Sequence, residues 1–189
     1  DDFFLEYDPG AAVEYFTKDY EEDTRQNLKI IKETVKSLCE HGRIGLEFGR
    51  YLSAPCGQYA TCVMDIKETD GVKYAIVDGG IHHLNYYGQN MAIRVPPVSV
   101  NKDGKSEKYC LCGALCTTAD VLVREIMLPE LSIGDVLRFD FCGAYAATEA
   151  PVLFLSRELP AVYVSNGLEH QLVRKPIAAD EINVEKNIG

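Results

Sequence analysis

Between Glu21 and His41 apolar residues return every three or four positions, at Leu28, Ile31, Val35 and Leu38, with polar residues between them and Gly42 just beyond. That period predicts one amphipathic helix, and the glycine marks its stop. Short apolar runs flank it. "FFLEY", Phe3 to Tyr7, closes at Pro9-Gly10, and "RIGLEF" runs from Arg43 to Phe48, so two strands are predicted around the helix. For that order a right-handed parallel crossover is the default. After Arg50 no segment sustains a 3.6-residue period, while short β-branched and aromatic runs recur between turn signals. "YATCVMDIKETDGVKYAIVD" predicts two strands about Asp70-Gly71, a dipeptide suited to the positive φ angles of a tight hairpin. "NKDGKS" marks a further turn, and "LPELSIGD" ends a strand before "VLRFDF". The expected architecture is mainly β: a strand-helix-strand unit over 1–50, a β-barrel or sandwich over 51–174, and a polar, aperiodic, loosely held tail over 175–189.

The 189 residues are 47% apolar, ample for a packed core. No apolar run approaches the roughly 20 residues of a membrane helix, and the acidic start "DDFFLEYDPG" lacks the basic region of a signal peptide. No membrane partner is expected. A formal charge of −10 opposes nonspecific binding to nucleic acid, yet a single phosphate can still be held by an arginine or a glycine-rich turn. The seven cysteines form no repeating framework, so reduced thiols in a cytoplasmic protein are expected.

Three of those cysteines fall within "CLCGALCTTAD", Cys110 to Asp120. The spacing lacks paired C-x₂-C knuckles and has no nearby His, so no metal is expected. Cys110 and Cys112, two apart in a predicted strand, face one side and pack, whereas Cys116 sits in a glycine-led loop that can expose a thiol. In "LEFGRYLSAPCG" Glu47, Gly49 and Arg50 follow the second strand. Gly49 admits a close ligand and Arg50 can grip a phosphate through two hydrogen bonds, or Glu47 and Arg50 form a surface pair ahead of a turn. His82 and His83, in "VDGGIHHLNYYGQ", are expected to diverge on extended chain and to serve structure. Tyr145 in "CGAYAATEAP" either donates to a ligand or caps a core ring.

Taken in order, four of these pieces resemble the fold-type III pyridoxal-phosphate decarboxylases, the diaminopimelate/ornithine/arginine decarboxylase group 2 family. "LEFGRYLSAPCG" is similar to the family's E-x-G-R segment, and "YAIVDGGIHHL" to its strand ending in D-G-G. "CGALCTTADVL" is similar to its G-P-x-C-x-x-x-D loop, and "IGDVLRFDFCGAYA" to its run from Gly-Asp to Gly-Ala-Tyr. The resemblance extends over about residues 1–165. It implies that residues 1–50 are the end of an α/β (TIM-type) barrel and the rest a C-terminal β-barrel domain. It further implies that Glu47 holds the pyridine nitrogen of pyridoxal phosphate protonated, and that Gly10, Gly49, Arg50 and Tyr145 surround the phosphate. Cys116 would give the proton that follows loss of carbon dioxide, acting in the neighbouring subunit of a homodimer, and Asp120 would help hold the interface.

Departures from the family pattern shape the expected substrate. Thr117 stands where these decarboxylases carry Glu or Asp, so the carboxylate for a distal ammonium is missing and an amino acid with another tail, free or tethered to a carrier, is implied. Phe48 replaces the usual Pro or Leu, and Asp8 enters a phosphate loop normally richer in glycine. No lysine here lies in a motif matching the family's Schiff-base lysine, so the chain is expected to be part of a longer polypeptide, without bound cofactor and inactive by itself. Two competing expectations are a non-catalytic dimerisation or binding module derived from the family and an amino-acid racemase of the same two-domain plan.

Overall fold

The computed structural model describes residues 3–13, 15, 16, 19–86 and 92–183. The chain opens with strand β1 (Phe4–Tyr7), helix α1 (Tyr20–Leu38) and strand β2 (Arg43–Leu46). β1 and β2 pair in parallel, with Phe4 opposite Arg43 and Tyr7 opposite Leu46. Helix α1 is therefore a crossover, and it returns the chain so that both strands end at the same edge. Its start is capped by Asp19, whose carboxylate accepts the Glu22 amide at 3.0 Å. Glu21, Glu22 and Asp23 occupy the first turn and Lys36 the last, as the helix dipole favours. Of its apolar stripe Ile31 is buried, while Leu28 remains exposed.

Past β2 the chain forms a short helix, α2 (Gly49–Ser53), running into a 3₁₀ turn at Ala54–Cys56. The strand expected to reach Phe48 thus stops at Leu46, and the turn expected beyond it is helical, because five residues display too little of a 3.6-residue period to be read.

Among the described residues six strands follow between 59 and 139: β3 (Tyr59–Thr69), β4 (Val72–Val77), β5 (Val98–Val100), β6 (Ser106–Cys112), β7 (Val121–Pro129) and β8 (Val136–Phe139). They form one sheet in the order β5-β8-β3-β4-β6-β7, and its two edge strands approach one another, so the sheet nearly closes into a barrel. The β3–β4 hairpin turns at Asp70 and Gly71, with φ angles of 52° and 75°, as the sequence predicts. Pairing is antiparallel except between β4 and β6, which run in parallel from Lys73 opposite Tyr109 to Ile76 opposite Cys112. That parallel step places the loops following β4 and β6 at one rim.

The interior is lined by Val63, Val77, Leu111, Leu122, Val123, Leu137 and Phe139, all nearly inaccessible to solvent. Tyr109 is buried among them, and its hydroxyl accepts the Leu131 amide at 3.0 Å. Strands β9 (Val162–Ser165) and β10 (His170–Arg174) pair with each other in a separate antiparallel hairpin. Helix α3 (Asp180–Asn183) is the last described element. Within the stretch expected to be a tail, Ile177 exchanges backbone hydrogen bonds with Leu159, and Ala179 is buried. No helix among the described residues is long and apolar enough to cross a membrane.

Candidate functional site

The adjacent ends of β1 and β2 deliver the first group of predicted residues. The Glu47 amide donates to the Tyr7 carbonyl at 3.2 Å, which fixes the start of the second loop beside the first, and the Glu47 side chain is exposed. Gly10, at φ +60°, lies in the left-handed region, and a Cβ there would meet nothing within 4 Å. Its amide donates to Asp8 Oδ1 at 2.8 Å, so the Asp8 carboxylate is folded back onto its own loop.

Gly49, Arg50 and Tyr145 come together, and glycine explains how. A Cβ on Gly143 would stand 1.9 Å from the Ser53 carbonyl oxygen. Glycine alone permits that approach, and the Gly143 amide donates to the Ala54 carbonyl at 3.0 Å while Cys142 donates to Gly57 at 2.9 Å. The segment leading to Tyr145 is thereby fastened to the end of α2. Tyr145 itself has a φ of 64°, and its ring centroid lies 4.2 Å from the Arg50 guanidinium carbon. Stacking of this kind sets the plane of a guanidinium. Arg50 Nη1 donates to the Tyr15 hydroxyl at 3.1 Å and Nη2 to Glu149 Oε1 at 3.4 Å. Tyr15 and Glu149 were not singled out from sequence. They lie 35 and 99 positions from Arg50, beyond the reach of any local pattern.

Cys116 belongs to the second group, the loop that follows β6. It is exposed. The loop is anchored at both sides: Ala114 donates to the Gly79 carbonyl at 2.7 Å, and Arg157 Nη2 donates to the Ala114 carbonyl at 2.8 Å. Thr117 lies next to the thiol, and its Oγ1 accepts the Ala119 amide at 3.3 Å. Asp120, expected at an interface between subunits, is 2% exposed. Its two carboxylate oxygens accept the Ile81 and Leu115 amides, each at 2.8 Å, so its charge is committed to joining the loops after β4 and β6.

Cys110 and Cys112 lie side by side with sulfurs 3.8 Å apart. Burial, and then the neighbouring Cys110, push the Cys112 thiol up to about 12, which leaves it protonated and unreactive. His82 and His83 do not diverge. They sit in a turn closed by His83 and Leu84 amides donating to the Gly80 carbonyl, and their ring centroids are 3.9 Å apart. His82 is 1% exposed, and burial, followed by His83 and Arg157, lowers its pKa to about 4. His83 bonds to the Tyr59 hydroxyl at 3.0 Å and the Glu158 carbonyl at 2.6 Å.

The residues between Gly79 and Tyr86 connect the two groups. Gly79 and Ile81 bond to the Cys116 loop, and the Asn85 amide and side chain donate to the Ala146 and Glu149 carbonyls at 2.8 Å and 3.3 Å. At the Arg50 group the donors are a guanidinium and a phenol. Open space lies over Gly10, and a Cβ on Gly49 would touch only the Tyr145 hydroxyl, at 3.9 Å. Such a set suits an oxyanion, and the residues present fit the phosphate of pyridoxal phosphate.

Residues 7–143 match the family model described as "Pyridoxal-dependent decarboxylase, C-terminal sheet domain". The chain is 30% identical over 185 residues to the L-glutamyl-[BtrI acyl-carrier protein] decarboxylase of Niallia circulans, covering 92% of this chain and 43% of that protein. It is 32% identical over 177 residues to the 2-[(L-alanin-3-ylcarbamoyl)methyl]-2-hydroxybutanedioate decarboxylase of Staphylococcus aureus, covering 86% of this chain and 43% of that protein. The crystal structure of a diaminopimelate decarboxylase from M. jannaschii in complex with L-lysine superposes with a TM-score of 0.78 at 22% identity, over 98% of this chain and 43% of that one, and shares the fold. The chain thus spans less than half the length of the curated relatives it matches. Its match over residues 7–143, its barrel-like sheet and its clustered glycines and arginine together establish that the chain belongs to the pyridoxal-dependent decarboxylases, as their C-terminal sheet domain.

Proposed function

We propose that this chain is the C-terminal part of a pyridoxal-phosphate-dependent amino-acid decarboxylase in which Cys116 is the proton donor. The observation that carries the reading is the contrast among the three close thiols. Cys110 and Cys112 are packed together, while Cys116 is exposed on a loop tied down through Ala114, Leu115 and Asp120. A general acid must combine access with a held position, and an exposed thiol on an anchored loop supports that role.

When bound, pyridoxal phosphate supplies the sink for the electrons left behind as the carboxylate departs. Gly10, Gly49, Arg50 and Tyr145 would hold its phosphate, and Glu47 would keep its ring nitrogen protonated. Cys116 transfers its proton to the substrate carbon that has lost carbon dioxide, and the thiolate is reprotonated from water. The loop serves the neighbouring subunit of a homodimer, while the Schiff-base lysine lies in another part of the polypeptide. Seven free cysteines support a reducing, cytoplasmic setting.

At Thr117 the site offers a hydroxyl in place of a carboxylate, which removes the countercharge for a distal ammonium. The substrate is therefore an amino acid with an uncharged or tethered tail. The Niallia circulans relative is named for a glutamyl group on an acyl-carrier protein, which supports a carrier-bound substrate here.

The test uses the polypeptide that includes the lysine. Cys116→Ala should lower turnover by ~10²–10⁴, the range of a positioned acid, with substrate binding retained. Undiminished release of carbon dioxide from the variant removes the role. Preference for free diaminopimelate or ornithine over a glutamyl-carrier thioester removes the substrate assignment.

A further inference from the structure

Among the described residues, Arg50 meets neighbours of two kinds. Tyr15, 6% exposed and bonded to Nη1, and Tyr145, stacked beneath the guanidinium, are uncharged and set its position without competing for an anion. Glu149 is different. Its carboxylate reaches Nη2 at 3.4 Å, and the side chain is 39% exposed, so it occupies the guanidinium from the solvent side through a long, partly screened contact. Its backbone is meanwhile fixed, since the Glu149 amide donates to the Tyr145 carbonyl at 2.9 Å and its own carbonyl accepts from Asn85. The side chain can therefore turn away into water while the backbone that carries it stays in place.

A carboxylate and a phosphate ask for the same donors, and two anions cannot share one guanidinium edge without repulsion. We propose that Glu149 is a built-in competitor: it holds Arg50 while the site is open and is displaced when an anionic group arrives, so that it sets how tightly that group is bound. The inference rests on the reading that Arg50 grips the cofactor phosphate. It predicts that the apparent affinity for phosphate is reduced by the fraction of Arg50 that Glu149 keeps engaged. Tyr15 and Tyr145 remain in contact with the arginine throughout, so the exchange needs no rearrangement of the guanidinium.

The experiment titrates the cofactor-free polypeptide that includes the Schiff-base lysine, as wild type, Glu149→Gln and Glu149→Asp, with inorganic phosphate and with pyridoxine, which shares the cofactor ring but has no phosphate. Binding is followed by tyrosine fluorescence and by the shift in melting temperature, and far-UV circular dichroism verifies the fold. The expected result is a phosphate Kd about two- to fivefold lower in Glu149→Gln, in keeping with one exposed ion pair. Pyridoxine binding should be unchanged, and Glu149→Asp should stay nearer to wild type. A phosphate Kd that is equal or higher in Glu149→Gln overturns the competitor role while leaving the Arg50 reading intact. Equal tightening toward pyridoxine also overturns it, because a general loosening of the site would then account for the gain. Absence of phosphate binding in both wild type and Glu149→Gln overturns both readings.

Discussion

Gly113 lies so close to the Asp120 carboxylate that a Cβ at position 113 would stand 2.2 Å from Oδ2. A methyl group there must push the carboxylate off the Ile81 and Leu115 amides. Gly113→Ala and Asp120→Ala should therefore behave alike, each leaving two amides without their acceptor and costing about 2–6 kcal/mol, from roughly 1–3 per unsatisfied buried group. Urea denaturation of the two variants and of the double variant tests this. Additive losses would mean that the two residues act separately.

The hydroxyl of Tyr109 is a second buried acceptor, taking the Leu131 amide inside the barrel-like sheet. Tyr109→Phe keeps the ring and its packing but orphans that amide, so a loss of about 1–3 kcal/mol is expected with the fold intact. A midpoint equal to wild type would show that the amide finds another partner.

His82 links stability to pH. Its folded pKa of about 4 lies below the ordinary value of 6.5, chiefly through burial. The unfolded chain takes up the proton first, so the contribution is complete above pH 6.5, is lost as pH falls toward 4, and changes no further below that. Burial lowers His83 in the same direction, so part of the slope should survive removal of His82. His82→Gln should make the fall in unfolding free energy between pH 6.5 and 4 shallower by about one proton. Denaturant melts at half-unit pH steps measure it, and an unaltered slope would assign the effect to other groups.

Arg50 should not tolerate lysine. The stacking on Tyr145 and the simultaneous reach to Tyr15 and Glu149 both need a planar fork, which an ammonium lacks. Arg50→Lys is expected to raise the phosphate Kd about tenfold, the equivalent of one charge-assisted hydrogen bond. Tyr145→Phe retains the stacking surface, so it should cost less than Tyr145→Leu in the same titration.

Much of this architecture was readable before the coordinates, and the division follows distance along the chain. Leu28, Ile31, Val35 and Leu38 announced α1, Asp70-Gly71 announced the tightest hairpin, and the glycine before Cys116 announced an open loop, because each signal lies within a few residues. The turn at Gly80 was misread as extended chain, which is why His82 and His83 were expected to separate when their rings in fact lie in contact, tilted by 46°. Asp120 binds amides 39 and 5 positions away, partners that no local pattern announces. Gly80 and Gly113 carried a hint of it, since both leave the space in which its carboxylate sits. Tyr15 and Glu149 had no such hint, as their meeting at Arg50 is created by the tertiary fold alone.

The parallel pairing of β4 with β6 also bears on the order in which the molecule assembles. Its partners are separated by residues 78–105, whereas the β3–β4 hairpin closes over two. Loop-closure entropy favours the hairpin as the early event and leaves the docking of β6 until a long excursion has been folded back. The rim that presents Cys116 would then be among the last parts to mature, and pulse-labelling of amide protons during refolding should find Leu115 protected after the amides of the β3–β4 pair.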